Sequence, residues 1–337
     1  MVPFRRSTRA FCLAVAAAAA LLTSCSFPGD AATDTAQVAD DNWRFGTADE
    51  ATAKLGSDAA PGEFPRNVTH AMGTTEIPVE PQRVVVLDTG ELDAVLSLGI
   101  TPVGMVTTLG AAPVPTYLAD RVEGIETVGT IQEVNLEAIA ELRPDLILGS
   151  RNRVEKLYPQ LAEIAPTVLS IRPGYPWKEN FLLVGEALGM ENETSAALNS
   201  YADAIDRLKS SVQGDPTISV VRFMPDRLRL YANKSLLGVI LQDAGLARPE
   251  KQNIDDLAVE ISPENISDAD GSVVFYSSYG APDTTGENAV VHGAGWKALS
   301  AVEDGKAFRV NDDIWFLGLG PTGAALIVDD LEKHLAG

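Results

Sequence analysis

Arg151, Arg153, Arg172 and Arg222 each stand at or just past the carboxyl end of a short apolar run, and Arg227 and Arg229 lie close by. A guanidinium stays ionised and forks onto carboxylate, catecholate or hydroxamate oxygens, so such an array suits an oxygen-rich, anionic small ligand. The competing reading pairs each arginine with a local acid on the surface. The clustering is unexpected in a chain of 26 Lys+Arg against 47 Asp+Glu, with a formal charge of −21. A body so acidic repels nucleic acid and anionic lipid, which argues against both as partners.

Aromatic residues accompany the arginines. Trp177, Tyr231, Tyr276, Tyr279, Trp315 and Phe316 fall in loops or at strand ends, where rings can wall a cleft. Trp315 stands out because it precedes the turn Gly318-Leu319-Gly320-Pro321 rather than lying on a periodic face. Catalytic signals are poor by comparison. Asp88-Thr89-Gly90 spells the aspartic-protease triplet, but that chemistry needs two carboxylates sharing a proton, and this single copy opens a helix. No nucleophile elbow or phosphate loop occurs. His70, His292 and His334 are far apart and lack metal-ligand spacing, and His334 is expected to face solvent near a helix end. No direct metal site and no resident cofactor are expected.

The elements that must position these residues begin after an export signal. Met1 to Ser24 has a basic start (Arg5, Arg6, Arg9) and an alanine-rich apolar run that ends at Leu22-Thr23-Ser24-Cys25. That is the pattern of a bacterial lipobox, with cleavage before Cys25 and a lipid on its sulfur. Processing removes three arginines and no acid, leaving 23 basic against 47 acidic residues, or −24. Of two cysteines, Cys12 and Cys25, neither then serves a disulfide, a thiol nucleophile or a metal site. Residues 25–78 lack a sustained period and read as a flexible tether, with an edge strand as the alternative for its last part.

From residue 79 to 190 strand and helix signals alternate. The β-branched run Arg83 to Leu87, a helix over Glu91 to Leu98 with Thr89 as its cap, and a strand at Pro102 to Val106 form a βαβ unit. A strand near Val128, a helix over Leu136 to Leu142 stopped by Pro144, and the apolar run Asp145 to Gly149 extend it. A helix near 154–164, a strand at Thr167 to Ile171 and a helix at Trp177 to Leu188 complete one lobe. Residues 191–214 carry the longest helical period, long enough at 1.5 Å per residue to brace a small domain. Residues 215–337 form a second α/β lobe, with an irregular loop from Pro249 to Ile261. The expectation is an α/β protein of two Rossmann-like lobes joined by a single long rigid helix, with ligand binding in the crevice beyond the strand ends.

In that order and spacing the chain resembles the iron-siderophore and cobalamin group of ABC-transporter substrate-binding proteins, from about Arg83 to Leu335. The matching passages are Arg83-Val84-Val85-Val86-Leu87, Leu98-Gly99-Ile100-Thr101-Pro102-Val103-Gly104, Val128-Gly129-Thr130, and Asn135-Leu136-Glu137 followed by Leu142-Arg143-Pro144-Asp145-Leu146-Ile147. Val310-Asn311-Asp312-Asp313-Ile314-Trp315 resembles the same region of actinobacterial members. The resemblance implies a ligand held between lobes that close only slightly. It places Ile131 where relatives have a ligand-contacting Trp or Arg, Arg153 where one hydroxamate binder has a Tyr, and Trp315 at a cleft Trp. It also implies that Glu137 and Glu264, one on each lobe, meet arginines of a permease. Both equally suit helix N-termini, where an acid is favourable on its own account.

The resulting expectation is a monomeric, lipid-anchored receptor on the outer face of a bacterial cell membrane, passing a ferric siderophore to an ABC permease, with no enzymatic activity. Arg222, Arg153, Arg151 and Arg172 would engage ligand oxygens, and Trp315, Tyr231, Tyr279 and Ile131 would wall the site. Two alternatives stay open. One is a haem or cobalamin receptor of the same fold, using Tyr279, His292 or a Met as axial ligand. The other is an anchored hydrolase built on Asp88.

Overall fold

The computed structural model describes residues 52–109 and 112–336. The expected signal peptide, Cys25 and the first half of the expected tether lie outside them. The second half of that tether is structured. A short 3-10 turn, Thr52–Lys54, leads into an antiparallel hairpin of β1 (Arg66–His70) and β2 (Gly73–Ile77). Arg66, Val68 and His70 alternate inward along β1 and are all buried. Arg66 is held by Glu191 and by the carbonyls of Glu63, Ala60 and Glu186. His70 Nδ1 accepts from Met72 N and Leu169 N, and its Nε2 lies 2.9 Å from Thr75 Oγ1, which in turn donates to the Thr167 carbonyl. The hairpin is therefore bonded to the first lobe through charged and polar side chains.

That lobe is built on a parallel sheet of order β5-β4-β3-β6-β7, with β3 (Val84–Val86), β4 (Gly104–Thr107), β5 (Glu126–Thr130), β6 (Leu146–Ser150) and β7 (Thr167–Ser170). Every residue of β3, β6 and β7 is buried, as expected of strands covered on both faces. Asp88, not Thr89, caps the Thr89–Ser97 helix: its carboxylate takes the Thr89 N–H at 2.8 Å. The helix expected near 154–164 is three pieces, Arg151–Val154, a 3-10 turn at Glu155–Leu157, and Tyr158–Ile164. Pro159 has no N–H to give, which suits the start of the last piece.

The second sheet runs β10-β9-β8-β11-β12, with β8 (Ile218–Met224), β9 (Arg227–Tyr231), β10 (Ala258–Ile261), β11 (Val273–Ser278) and β12 (Ala307–Arg309). β8, β11 and β12 are parallel, while β9 and β10 are antiparallel additions at one edge. β10 lies in the stretch expected to be irregular. It is a half-exposed edge strand carrying an outward Glu260, so it lacks the apolar run that marks the central strands.

Helix Glu191–Ser211 joins the lobes. Trp177–Leu188 packs on it, and Lys178, buried, reaches across to Asp243 of helix Leu236–Asp243 at 2.7 Å, where Tyr201 also donates at 2.8 Å. The C-terminal helix, Pro321–Leu335, counted from the sequence with the second lobe, returns to pack on the connecting helix and on Thr89–Ser97. Its first N–H groups, Thr322 and Gly323, donate at 3.1 and 2.9 Å to Asp93 of the first lobe, which also accepts from Tyr117. Backbone and carboxylate come so close that a Cβ on Gly320 would stand 2.6 Å from that of Asp93. The Gly-rich turn is thus a joint between the lobes. Among the described residues no helix is long and apolar enough to cross a membrane.

Candidate functional site

Three of the four expected arginines issue from neighbouring strand ends of the first sheet. β6 ends at Ser150, and the short helix that follows carries Arg151 and Arg153; β7 ends at Ser170, two residues before Arg172. Asp88, at the end of β3, anchors this floor. Fully buried, it accepts from Ser150 Oγ at 2.8 Å and from Arg153 Nε at 3.2 Å. Arg153 keeps 33% of its side chain exposed and forms no other hydrogen bond or ion pair among the described residues, so its two terminal nitrogens remain available. Arg151 and Arg172 are half-buried and form no ion pair among the described residues. Arg172 lies 5.1 Å from the Tyr175 ring centre, which stiffens it without neutralising it.

Beside them sits Glu91, which the sequence reading passed over. It is 3% exposed, and Ser170 Oγ donates to its Oε1 at 2.8 Å. Burial and then the neighbouring Asp88 push its carboxyl up to about 7.

Arg222 has a different role from the one expected. It is 6% exposed and bonded at 2.8 and 2.5 Å to both oxygens of Asp312, which also accepts from Ser277 at 2.6 Å. Its Nη1 donates to the Tyr231 hydroxyl at 3.2 Å, and the Tyr279 and Phe316 rings each sit 4.8 Å from the guanidinium. Burial opposes its charge, but the bonds to Asp312 and Tyr231 prevail and hold its pKa above the ordinary value. The acid that neutralises it is ninety positions away in the chain, beyond the reach of local pattern.

Arg227 and Arg229 both turn to Glu260 on β10, so each is already paired with an acid. Arg309, missed in the sequence, stands at the end of β12 with half its side chain exposed and binds buried Glu287 at 2.7 and 3.0 Å. With Ser278, Asn311 and Asp312 it lines an open pocket of about 430 Å³. Its position at a strand end was the available signal.

Trp315 is not a cleft wall. It is 2% exposed, its ring packs on Phe275, and its indole N–H donates to Asp330 of the terminal helix at 3.0 Å. Tyr231 is likewise buried, against Phe316. Tyr279 is half-buried, and so is Ile131, whose N–H donates to the Thr107 carbonyl beside the Gly129 turn. His292 is exposed with Nδ1 2.7 Å from the Asn288 carbonyl, and His334, expected in solvent, stacks on Phe308 at 4.3 Å. No group of His, Cys, Asp and Glu among the described residues could hold a metal ion. Glu137 and Glu264 are both exposed, at the first turns of the Leu136–Glu141 and Pro263–Ala269 helices. The N–H of Glu264 itself and Ser262 keep the Glu264 carboxyl below its usual range.

The model for the periplasmic binding protein family matches residues 84–314, most of both lobes and the helix between them. This chain belongs to the periplasmic binding proteins. It is therefore a capturing protein and not an enzyme, and the two-lobe α/β architecture with a connecting helix is that of the family. Asp88 fits this assignment, being a helix cap and a partner of Arg153.

Among the periplasmic binding proteins, a probable siderophore-binding lipoprotein of Bacillus subtilis strain 168, YfiY, is 38% identical over 284 residues, covering 80% of this chain and 87% of its own. The Fe(3+)-citrate-binding protein YfmC of the same organism is 30% identical over 268 residues, covering 77% and 82%. The crystal structure of Staphylococcus aureus SirA complexed with staphyloferrin B superposes with a TM-score of 0.73 at 32% identity, covering 80% of this chain and 98% of that one.

Proposed function

We propose that this protein is the extracytoplasmic receptor of an ABC importer, capturing a ferric siderophore between its lobes and delivering it to a membrane permease. The observation that carries the reading is the row of open cations on the first lobe. Arg151 and Arg172 are unpaired among the described residues, and Arg153 spends one N–H on Asp88. In a chain of formal charge −21, such cations at adjacent strand ends attract an oxygen-rich ferric anion. Relatives named for binding siderophores and ferric citrate support the same reading.

In this proposal the three arginines meet the ligand's outer oxygens, and Ile131 and Tyr279 supply apolar contact. Arg222, with Tyr231, is the buried frame that holds the second lobe's wall. Cys25 bears the lipid, Glu137 and Glu264 face the permease, and the receptor acts as a monomer. The ferric complex is cargo, so no resident cofactor is needed.

Intrinsic-fluorescence titration with ferric complexes of the citrate, hydroxamate and catecholate types tests it. At least one should quench with a Kd below about 10 μM, near −7 kcal/mol. Flat titrations with all three classes would overturn the assignment.

A further inference from the structure

Three buried polar atoms at the joint between the lobes have no hydrogen-bond partner among the described residues: Glu91 Oε2, Trp177 Nε1 and Asn180 Oδ1. Glu91 and Trp177 are 3% and 1% exposed. Their side chains line one small cavity, roofed by Gly320 and Pro321 of the Gly-rich turn, with a volume for solvent centres of about 10 Å³. That is room for about one water molecule. Leaving such groups unsatisfied forfeits the hydrogen bonds they make to water in the unfolded chain, so three around one cavity call for a common partner.

We propose that this cavity is a binding site for one water, which accepts from Trp177 Nε1–H, donates to Asn180 Oδ1 and Glu91 Oε2, and holds in place the loop carrying Arg172.

The donor and acceptor types select the occupant. An indole N–H is only a donor, so a metal ion or an ammonium would meet it without any attraction. Two oxygens exclude an anion. Water satisfies all three, and three hydrogen bonds is the usual number for a buried water. Burial pushes Glu91 up to about 7, and water serves either form, since it donates to the carboxylate and accepts from the acid.

Both acceptors also hold the loop after β7. Glu91 Oε1 takes the Ser170 hydroxyl at 2.8 Å, and Asn180 Nδ2 donates to the Arg172 carbonyl at 2.9 Å. The water closes a ring among them, and so ties the ligand-facing loop to the inter-lobe joint. The inference does not depend on which ligand the cleft takes.

Water-to-indole cross-relaxation in the full chain, labelled at tryptophan, gives the test, with Trp177→Phe assigning the resonance. The Trp177 indole proton should show contact with a long-lived water, and a crystal structure resolving ordered solvent should place density within hydrogen-bond reach of all three atoms. Trp177→Phe removes one bond to the water but leaves the direct bonds to Ser170 and Arg172, and amide exchange at Ile171 and Arg172 should quicken several-fold. Absence of both the indole contact and the density overturns the site. A bound water with unchanged exchange at those amides overturns its hold on the loop. Neither readout requires ligand, so failure of the siderophore assignment would leave the result standing.

Discussion

An arginine's worth at this site depends on whether an acid already holds it. Arg172 has no ion pair among the described residues, so truncating it removes a bond made only to ligand. Arg172→Ala should weaken binding of the ferric complex by about 1.5–3 kcal/mol, roughly ten- to a hundredfold, with little change in the melting temperature of the free protein. Arg222 should behave in the opposite way. Its removal strands Asp312 in a 14% exposed site, and breaking a buried pair on one side costs about 3–5 kcal/mol. Arg222→Ala should therefore lower the melting temperature without ligand present. If Arg222→Ala melts like the parent and only binding suffers, the buried-pair reading of Arg222 is wrong. The sequence placed all four arginines at strand ends, but their division into held and open depends on Asp88 and Asp312, which are distant in the chain and meet them only after folding.

At the scale of elements, the central strands were legible because β3, β6 and β7 are buried on both faces, as short runs rich in Val, Leu and Ile announce. The hairpin was not. Two of the three inward positions of β1 are Arg66 and His70, so a buried face reads as polar. His70 also gives this hairpin a pH response. Burial lowers its pKa from 6.5 to about 4, and its Nδ1 serves two backbone N–H groups as an acceptor. The unfolded chain takes up the proton first, so the stability His70 provides is full above pH 6.5 and is lost as pH falls toward about 4. Denaturant melts across that window should show this loss, and His70→Gln should flatten it. A slope identical in the variant would assign the acid sensitivity elsewhere.

For the molecule as a whole, two acids span the boundary between lobes: half-buried Asp243 takes Lys178 and Tyr201, and buried Asp93 receives the start of the terminal helix. Asp93→Ala removes a cap worth about 1–2 kcal/mol and leaves the Tyr117 hydroxyl without its partner. It should lower stability and broaden the small-angle scattering profile of the ligand-free protein. An unaltered profile would mean that the connecting helix alone sets the lobe angle. At the outer surface, the proposed permease contacts predict that Glu137→Lys or Glu264→Lys abolishes uptake while ligand titration stays normal. If both variants still transport at parental rates, the two acids are only helix caps.

The Gly320 crossing has a consequence for how occupancy is reported. With the terminal helix fastened to Asp93 and no space for a side chain at the crossing, the halves have little freedom to swing. A transporter inspecting such a receptor gains almost nothing from its posture. Under the proposed docking through Glu137 and Glu264, a full receptor would then differ from an empty one chiefly in the charge that the cargo adds between those two acids.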